Sequence, residues 1–290
     1  MKNSNFNIYA DFGKSKIRVG AIKKDDPIKN FFCESNYFTD YLSAEPEIEK
    51  IISKIEKYTN EYLENIDLMI DSPKTLSISL SLLKKFDGSK LKKEDIQFLI
   101  QDAKQQIMRN YLNQNIIHIV IKNYKIDNKN YTFLPSDINC HTLSIDIIFI
   151  CLPKKIIDFF KIFFSKFDIS IKQIFCSSYA KALSYKKNFI STKNISFIDM
   201  GFDKTSITHY DKNEINFFHV IPIGGNHITK DLSKILNIDM IKAEKIKLCF
   251  DKNEKVLIEE NLSLDLVRKI IFARIEEILE LCIQSIKLNH

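Results

Sequence analysis

Apolar residues follow two different periodicities along this chain, and together these predict a mixed α/β protein. Alternation at every second position indicates strands, whereas spacings of three and four residues indicate amphipathic helices. The predicted strands are 6–12, 16–23, 28–34, 67–71, 76–82, 116–121, 142–151 and 171–176, followed by a hairpin that begins near 195. The predicted helices are 46–63, 92–109, 154–167, 178–184, 228–236, 239–249 and 264–287. No apolar run reaches the roughly 20 residues of a transmembrane helix.

Two of the predicted hairpins have an acidic residue followed by a glycine turn. One strand ends at Asp11 and continues through Gly13-Lys14-Ser15-Lys16 into the next strand. The other ends at Asp199 and continues through Gly201 towards Thr205. A carboxylate beside free backbone amides suits a phosphate and its Mg²⁺. Glycine also lets the backbone come close to such a ligand.

A further candidate for anion binding lies downstream of the second hairpin. Gly224-Gly225-Asn226 precedes a predicted helix that includes Ile228. Unpaired amides and the helix dipole favour an anion at such a helix start.

The two hairpins resemble a known arrangement. Proteins of the actin, Hsp70 and hexokinase superfamily hold ATP between two related lobes with such a pair. The segment IPIGGNHITKDLSKIL followed by AEKIK looks like FtsA, the bacterial actin-like protein of cell division, and most like its alphaproteobacterial versions. The segment DFGKSKIRVGAI is similar to the family's first phosphate loop, and LKKEDIQFLIQDAKQQI, NIIHIVIKNYKID and IDIIFICLP follow its middle part. The resemblance covers nearly the whole chain.

The resemblance implies a two-lobed α/β fold of the actin/Hsp70 (ribonuclease H-like) type with an inserted β-α-β-β-α subdomain, the FtsA 1C or SHS2-like unit. Residues 1–75 and 168–192 would form the first lobe (1A), and residues 76–167 the insert. Residues 193–290 would form the second lobe (2A/2B). The sequence stops before the family's adenosine-covering strand and its C-terminal membrane helix. We therefore expect an incomplete second lobe, in either a fragment or a reduced homologue.

ATP and Mg²⁺ are the ligands that the resemblance implies. Asp11 and Asp199 would face the Mg²⁺, through water because Mg²⁺ dehydrates reluctantly. The expected nucleotide-binding residues are Asp11, Gly13, Lys14, Ser15, Lys16, Asp199, Gly201, Thr205, Gly224, Gly225, Asn226, Glu244 and Lys247. Glu244 and Lys247 resemble the pair that touches ribose and adenine in Hsp70-like proteins. An exposed ion pair on one helix explains them equally well.

The loop of the second hairpin, from Gly201 to Lys204, is called the second loop, and it departs from the family pattern. Phe202 and Asp203 stand where the family has glycines, and Asp203 adds a negative charge near the expected phosphates. Like charges about 4 Å apart repel by about 1 kcal/mol in water, and Lys204 is expected to offset this. No residue stands out as a base that activates water. We therefore assign no catalytic residue and expect a weak ATPase at most.

Two helices have alternative interpretations. The helix over 153–167 carries isoleucines and phenylalanines beside lysines, which fits a membrane surface. Its place after a strand favours a helix that covers a core. The helix over 270–281 presents Arg274, Glu276 and Glu277, and a solvated face explains them. In FtsA this helix helps form the groove for the C-terminal tail of FtsZ, so the resemblance assigns partner binding to Arg274 and Glu277.

Composition limits the partners. The net charge is +6, but the lysines form no basic run, so a solvated surface is favoured over nucleic-acid binding. The six cysteines lack any Cys-x-x-Cys pair, which is typical of a reducing cytoplasm. We expect a cytoplasmic protein whose membrane contact is peripheral, on the cytoplasmic face of the inner membrane at the division site.

The resemblance thus implies an adaptor that links FtsZ filaments to membrane-bound division proteins at the septum and self-associates through the insert. ATP would act as a conformational ligand. The alternative is a nucleotide-independent scaffold with the same fold, such as a PilM-like pilus-assembly protein. A sugar or acetate kinase is disfavoured, because no acceptor-binding set of carboxylates is present.

Overall fold

The computed structural model describes residues 4–26, 28–36, 43–135, 138–250 and 262–289. In these ranges twelve strands form three sheets. The strands are β1 (Phe6–Phe12), β2 (Ile17–Lys23), β3 (Asn30–Glu34), β4 (Asn65–Ile70), β5 (Leu76–Lys85), β6 (Gln114–Ile126), β7 (Lys129–Tyr131), β8 (Thr142–Pro153), β9 (Ser170–Cys176), β10 (Ile195–Met200), β11 (Thr205–Asp211) and β12 (Glu214–Ile221). The helices are α1 (Glu45–Thr59), α2 (Lys93–Asn110), α3 (Lys154–Ser165), α4 (Ser177–Lys186), α5 (Gly225–Leu236), α6 (Met240–Cys249) and α7 (Leu264–Leu288).

The first sheet has the order β3-β2-β1-β4-β9. Strands β1, β2 and β3 form the predicted meander, whereas β4 is parallel to both β1 and β9. The carboxyl ends of three parallel strands therefore meet at one edge of the sheet. This edge brings Asp11, Asp71 and Ser177 together, although they are far apart in the sequence.

One face of this sheet is covered by α1 and α3. Ile48, Ile51 and Ile55 of α1 are buried. The helix ends at Thr59 and not at 63 as predicted, because Asn60 takes a left-handed conformation (φ 55°) and its N–H donates to the Glu56 carbonyl. Such a left-handed residue is a common helix stop.

Helix α3 packs its phenylalanines against the first sheet. Phe160, Phe163 and Phe164 are buried, and the ring centroids of Phe12 and Phe160 are 4.8 Å apart. The interpretation of this segment as a helix that covers a core is confirmed. The resemblance predicts α3 as part of the insert, whereas its buried side chains pack against the first sheet. The rest of the predicted domain division stays a prediction, and its limits at 1 and 290 lie outside the described residues.

The insert is an antiparallel sheet of order β5-β8-β6-β7 with α2 on one face. Strand β7 was not predicted. It follows β6 through Asp127 and Asn128, which both have positive φ and form a two-residue hairpin turn. On the other face, Ile148 and Ile150 of β8 are completely buried against a cluster that includes Phe218 of β12. The insert therefore also contacts the last sheet.

The third sheet, β10-β11-β12, is antiparallel and packs against α7. Helices α5, α6 and α7 share a separate core around Leu232, Ile246 and Val267. Asp239 caps α6 by accepting from the Lys242 N–H, and Ser263 caps α7 in the same way. Within the described ranges, no helix combines the length and apolarity needed to cross a bilayer.

Candidate functional site

The hairpins β1-β2 and β10-β11 close with the same turn. The Gly13 N–H donates to the Lys16 carbonyl at 3.0 Å, and the Gly201 N–H donates to the Lys204 carbonyl at 2.8 Å. Asp11 and Asp199 each lie two residues before the glycine, at the end of their strand. The two loops are thus structural counterparts, in agreement with the repeated pattern in the sequence.

Both loops line one cavity of about 430 Å³. Of the predicted ligand-binding residues, the lining includes Asp11, Gly13, Lys14, Ser15, Lys16, Asp199, Gly201, Gly225, Glu244 and Lys247. Thr205, Gly224 and Asn226 are not part of this lining. Thr205 is buried, and its hydroxyl donates to the Ile223 carbonyl at 2.7 Å. This hydrogen bond of Thr205 links β11 to the segment that follows β12.

Lys181 of α4, which is not among the predicted site residues, lies between the two aspartates. Its Nζ is 3.5 Å from Oδ2 of Asp199 and 3.7 Å from Oδ2 of Asp11. Burial lowers the pKa of Lys181, but the Asp11, Asp199 and Asp71 carboxylates raise it by more, so its net pKa lies above the usual value. The side chain is therefore an ammonium at neutral pH.

Asp11 has further partners on the chain. The Ser177 hydroxyl donates to Oδ1 at 2.6 Å, and a guanidinium nitrogen of Arg18 lies 4.0 Å from Oδ2. Both carboxylate oxygens thus face groups of the protein.

A buried ion pair lies behind the second loop. Lys204 Nζ is 3.0 Å from Oδ2 of Asp71, and the Lys204 side chain is only 6% exposed. Asp71 also accepts from the backbone N–H and the hydroxyl of Ser178, at the start of α4. The sequence predicts that Lys204 offsets the charge of Asp203. Instead Lys204 pairs with Asp71, and Asp203 pairs with Lys14 of the first loop.

Glu244 and Lys247 are not the exposed pair that was one of the two interpretations. Their side chains are 12% and 16% exposed, and the two charged groups are 2.6 Å apart. Lys247 Nζ also donates to the Gly225 carbonyl at 3.1 Å and to the Thr229 hydroxyl at 2.9 Å. This network ties α6 to the first turn of α5 at the margin of the cavity.

The amides at the start of α5 donate to protein atoms. The Gly225 N–H donates to the Gly201 carbonyl at 2.9 Å, and the Asn226 N–H donates to the Phe202 carbonyl at 2.6 Å. The Gly224 N–H donates to Nδ1 of His227 at 3.1 Å. These amides are therefore not available to an anion in this conformation, contrary to the expectation from the sequence. The second loop occupies the helix start itself.

The cavity does not fit the Mg²⁺ that the resemblance implies. Its lining carries five acidic side chains, Asp11, Asp71, Asp199, Asp203 and Glu244, and each of them has an ammonium of the chain as partner. Mg²⁺ in proteins is bound by one or two carboxylates at close range or through its water shell. Here an ammonium occupies the space between the two carboxylates that were expected to hold it.

Arg274 joins α7 to α5. Its Nε is 2.7 Å from Oδ2 of Asp231, and its Nη2 is 3.0 Å from Oδ1 of the same carboxylate. Glu277 contacts its remaining terminal nitrogen. Fork-like pairing of this kind is among the stronger side-chain contacts. The two predicted partner-binding residues therefore contact each other, and Arg274 also holds α7 against α5 through Asp231.

Both a family model and individual relatives make this chain similar to FtsA cell-division proteins. The sequence model of the family described as "Cell division protein FtsA" matches residues 196–268. FtsA of Buchnera aphidicola subsp. Baizongia pistaciae is 25% identical, over 94% of this chain and 70% of that protein. FtsA of Agrobacterium fabrum is 23% identical, over 67% of this chain and 47% of that protein.

Among solved structures, a chain of the "PilM-PilN type IV pilus biogenesis complex" superimposes with a TM-score of 0.61. The alignment covers 93% of this chain and 77% of that chain at 9% identity, so it speaks for the fold alone. The predicted actin-like fold is confirmed, and so is the predicted resemblance of this chain to the FtsA cell-division proteins.

Proposed function

We propose that this protein acts in bacterial cell division as an FtsA-like adaptor, with ATP as a conformational ligand in the cavity between the two loops. The observation that supports this most is the shared cavity lined by Asp11 and Asp199, one from each hairpin. The similarity to FtsA over 94% of the chain supports the biological role.

The cavity supplies a physical route for such a ligand to act. Two ion pairs cross it, Lys14 with Asp203 and Lys181 with Asp199. A triphosphate between the loops would compete with these carboxylates for the same ammonium groups. It would thereby favour the arrangement of the lobes in which both loops contact the phosphates, which is a shift of populations and needs no chemistry.

A thermal-shift titration with ATP tests the ligand. We expect a rise in melting temperature that saturates, since a ligand at a hundred times its dissociation constant stabilises by about 2.7 kcal/mol. The variant Lys14→Gln should weaken the effect, whereas Lys161→Met on the exposed face of α3 should not. An unchanged melting temperature at millimolar ATP would contradict the nucleotide part of the proposal.

The proposed partner is the C-terminal tail of FtsZ, bound at Arg274 and Glu277. A fluorescent tail peptide titrated against the chain should show saturable binding that Arg274→Ala weakens. Because Arg274 also holds α5 through Asp231, the matched control is Asp231→Asn, which breaks that pair and keeps the arginine. Equal weakening in both variants would show a structural effect and would contradict direct recognition by Arg274.

The remaining roles belong to the same proposal. The likeness to FtsA also supports binding to other membrane-bound division proteins and self-association through the insert. It supports a peripheral location at the septum as well. Sedimentation velocity of the chain over a range of protein concentrations would test self-association, and a single monomeric species throughout would count against it. A fluorescent fusion in dividing cells would test the location, and a diffuse signal would count against it.

A nucleotide-independent scaffold is the second candidate, and two observations favour it. Each acidic side chain of the cavity has an ammonium partner, and the first amides of α5 donate to the second loop. The superposition on a chain of the PilM–PilN complex concerns the fold alone, and that fold is one on which such a scaffold could be built. The ATP titration separates the two, because a scaffold of this kind would show no shift.

A further inference from the structure

The position of Lys181 conflicts with a divalent cation between the two hairpins. Its ammonium lies within 3.7 Å of Asp11 and 3.5 Å of Asp199. A Mg²⁺ ion with its water shell needs the same space between these two carboxylates. The ammonium and the hydrated ion therefore exclude each other.

The backbone fixes where Lys181 lies. Helix α4 begins at Ser177, directly after β9, and β9 is parallel to β4 at the edge where β1 also ends. The first residue of this helix donates to Asp11 Oδ1. Lys181, one helical turn further on, lies on the same side of the helix as Ser177. One helix thus supplies both the hydroxyl and the ammonium that surround Asp11.

The other acidic residues of the lining offer no alternative metal site. Asp71, Asp203 and Glu244 pair with Lys204, Lys14 and Lys247. In addition, no group of three or more acidic, histidine or cysteine side chains suited to a metal ion occurs in the described part of the chain. A divalent ion would have to displace at least one of these ammonium groups.

We propose that the ammonium of Lys181 takes the place of a divalent cation between the two phosphate-loop hairpins, so that this cleft excludes free Mg²⁺. A single positive charge with several N–H donors can contact both carboxylates at once and still face a ligand in the cavity. The proposal concerns the cleft assigned above to a nucleotide, but it does not rest on nucleotide binding.

Manganese binding tests the proposal directly, because Mn²⁺ stands in for Mg²⁺ and its free form is visible by electron paramagnetic resonance. The full chain should leave the free Mn²⁺ signal unchanged in a titration. Lys181→Met should gain a single site, at least about tenfold tighter than any binding by the wild type, because two carboxylates lose a cation less than 4 Å away. The double variant Lys181→Met with Asp199→Asn should lose that site again.

Two controls keep the result decisive. Lys161→Met removes a lysine from the exposed face of α3 and should gain no site. Lys181→Arg keeps the charge and should exclude Mn²⁺ as the wild type does. If the methionine variant does not fold, Lys181→Gln removes the same charge with a polar side chain and should gain the same site. Wild-type binding that Asp199→Asn abolishes would overturn the proposal, and so would a folded Lys181→Met variant without a site. Failure of the ATP titration would leave this result untouched.

Discussion

Asp11 and Asp199 share one counter-ion although they belong to different hairpins and different sheets: Lys181 contacts both carboxylates across the cavity. Two aspartates that face each other without a cation would repel, and the repulsion grows as water is excluded. The shared ammonium turns this repulsion into an attractive contact between the two hairpins.

The buried pair of Lys204 and Asp71 should matter for stability. Lys204→Met should lower the free energy of unfolding by about 3 kcal/mol, because removing one partner leaves a buried charge uncompensated. Urea denaturation followed by circular dichroism measures the change. Lys16 occupies the same position in the first hairpin but pairs with Glu34 at the surface, so Lys16→Met should cost less than about 1 kcal/mol. Equal effects of the two variants would contradict the assignment.

Gly224 should tolerate no side chain. A Cβ there would lie 2.5 Å from the Gly201 carbonyl oxygen and 2.6 Å from the Lys204 nitrogen, and these backbone atoms cannot give way cheaply. Gly224→Ala should therefore destabilise by about 2 kcal/mol or more, as overpacking does. Gly225→Ala is the matched control, since its Cβ would meet its nearest neighbours at 3.6 and 3.7 Å. It should be neutral in the same denaturation assay.

His118 should make stability depend on pH. Burial lowers its pKa to about 4 in the folded chain, against the raising effect of Asp71, and its Nε2 accepts the Cys176 N–H. The unfolded chain binds a proton near pH 6.5, whereas the folded chain does not until about pH 4. The contribution of His118 to the free energy of unfolding is therefore fully present above pH 6.5, and it is lost as the pH drops towards about 4.

When the pH falls from 7.5 to 5, the lowered pKa of His118 should reduce the free energy of unfolding by about 2 kcal/mol. His118→Gln cannot be protonated, so its free energy of unfolding should change less over the same interval. Urea midpoints at the two pH values provide the measurement. Parallel pH profiles for wild type and variant would show that His118 is not the group responsible.

The Lys14–Asp203 pair should contribute weakly and depend on salt. The Lys14 side chain is 41% exposed, so a double-mutant cycle with Lys14→Gln and Asp203→Asn should give a coupling below about 1 kcal/mol. Because salt screens exposed charges, the coupling should vanish at about 1 M salt. A coupling that survives high salt would mean that the two loops are held together in a drier environment than this structure shows.

Much of the secondary structure could be predicted from the sequence because it depends on local patterns. The alternation in β1, β2 and β8 and the helical spacing in α1, α2 and α7 are written in residues close to one another. The errors are local as well. Helix α1 stops early because Asn60 accepts a left-handed conformation. Strand β7 was missed because it is only three residues long, too short for an alternating pattern.

Helix α3 shows that a local pattern can predict an element without predicting the core to which it belongs. Its phenylalanine face predicted a helix that covers a core, and this is what the structure contains. Which core it covers depends on β8, which carries the chain from the insert back to the first sheet. An amphipathic pattern indicates that a face is buried, but it does not name the surface that buries it.

The sequence by itself determined the two acid-tipped hairpins and their glycine turns, since these depend on residues within a few positions of each other. Only the tertiary structure decided what surrounds them. Lys181 and Asp71 reach the cavity because the carboxyl ends of β1, β4 and β9 meet at one edge, through contacts between residues far apart in the chain. Charge compensation is a property of distance in space, and no spacing along the sequence shows which lysine lies beside which carboxylate.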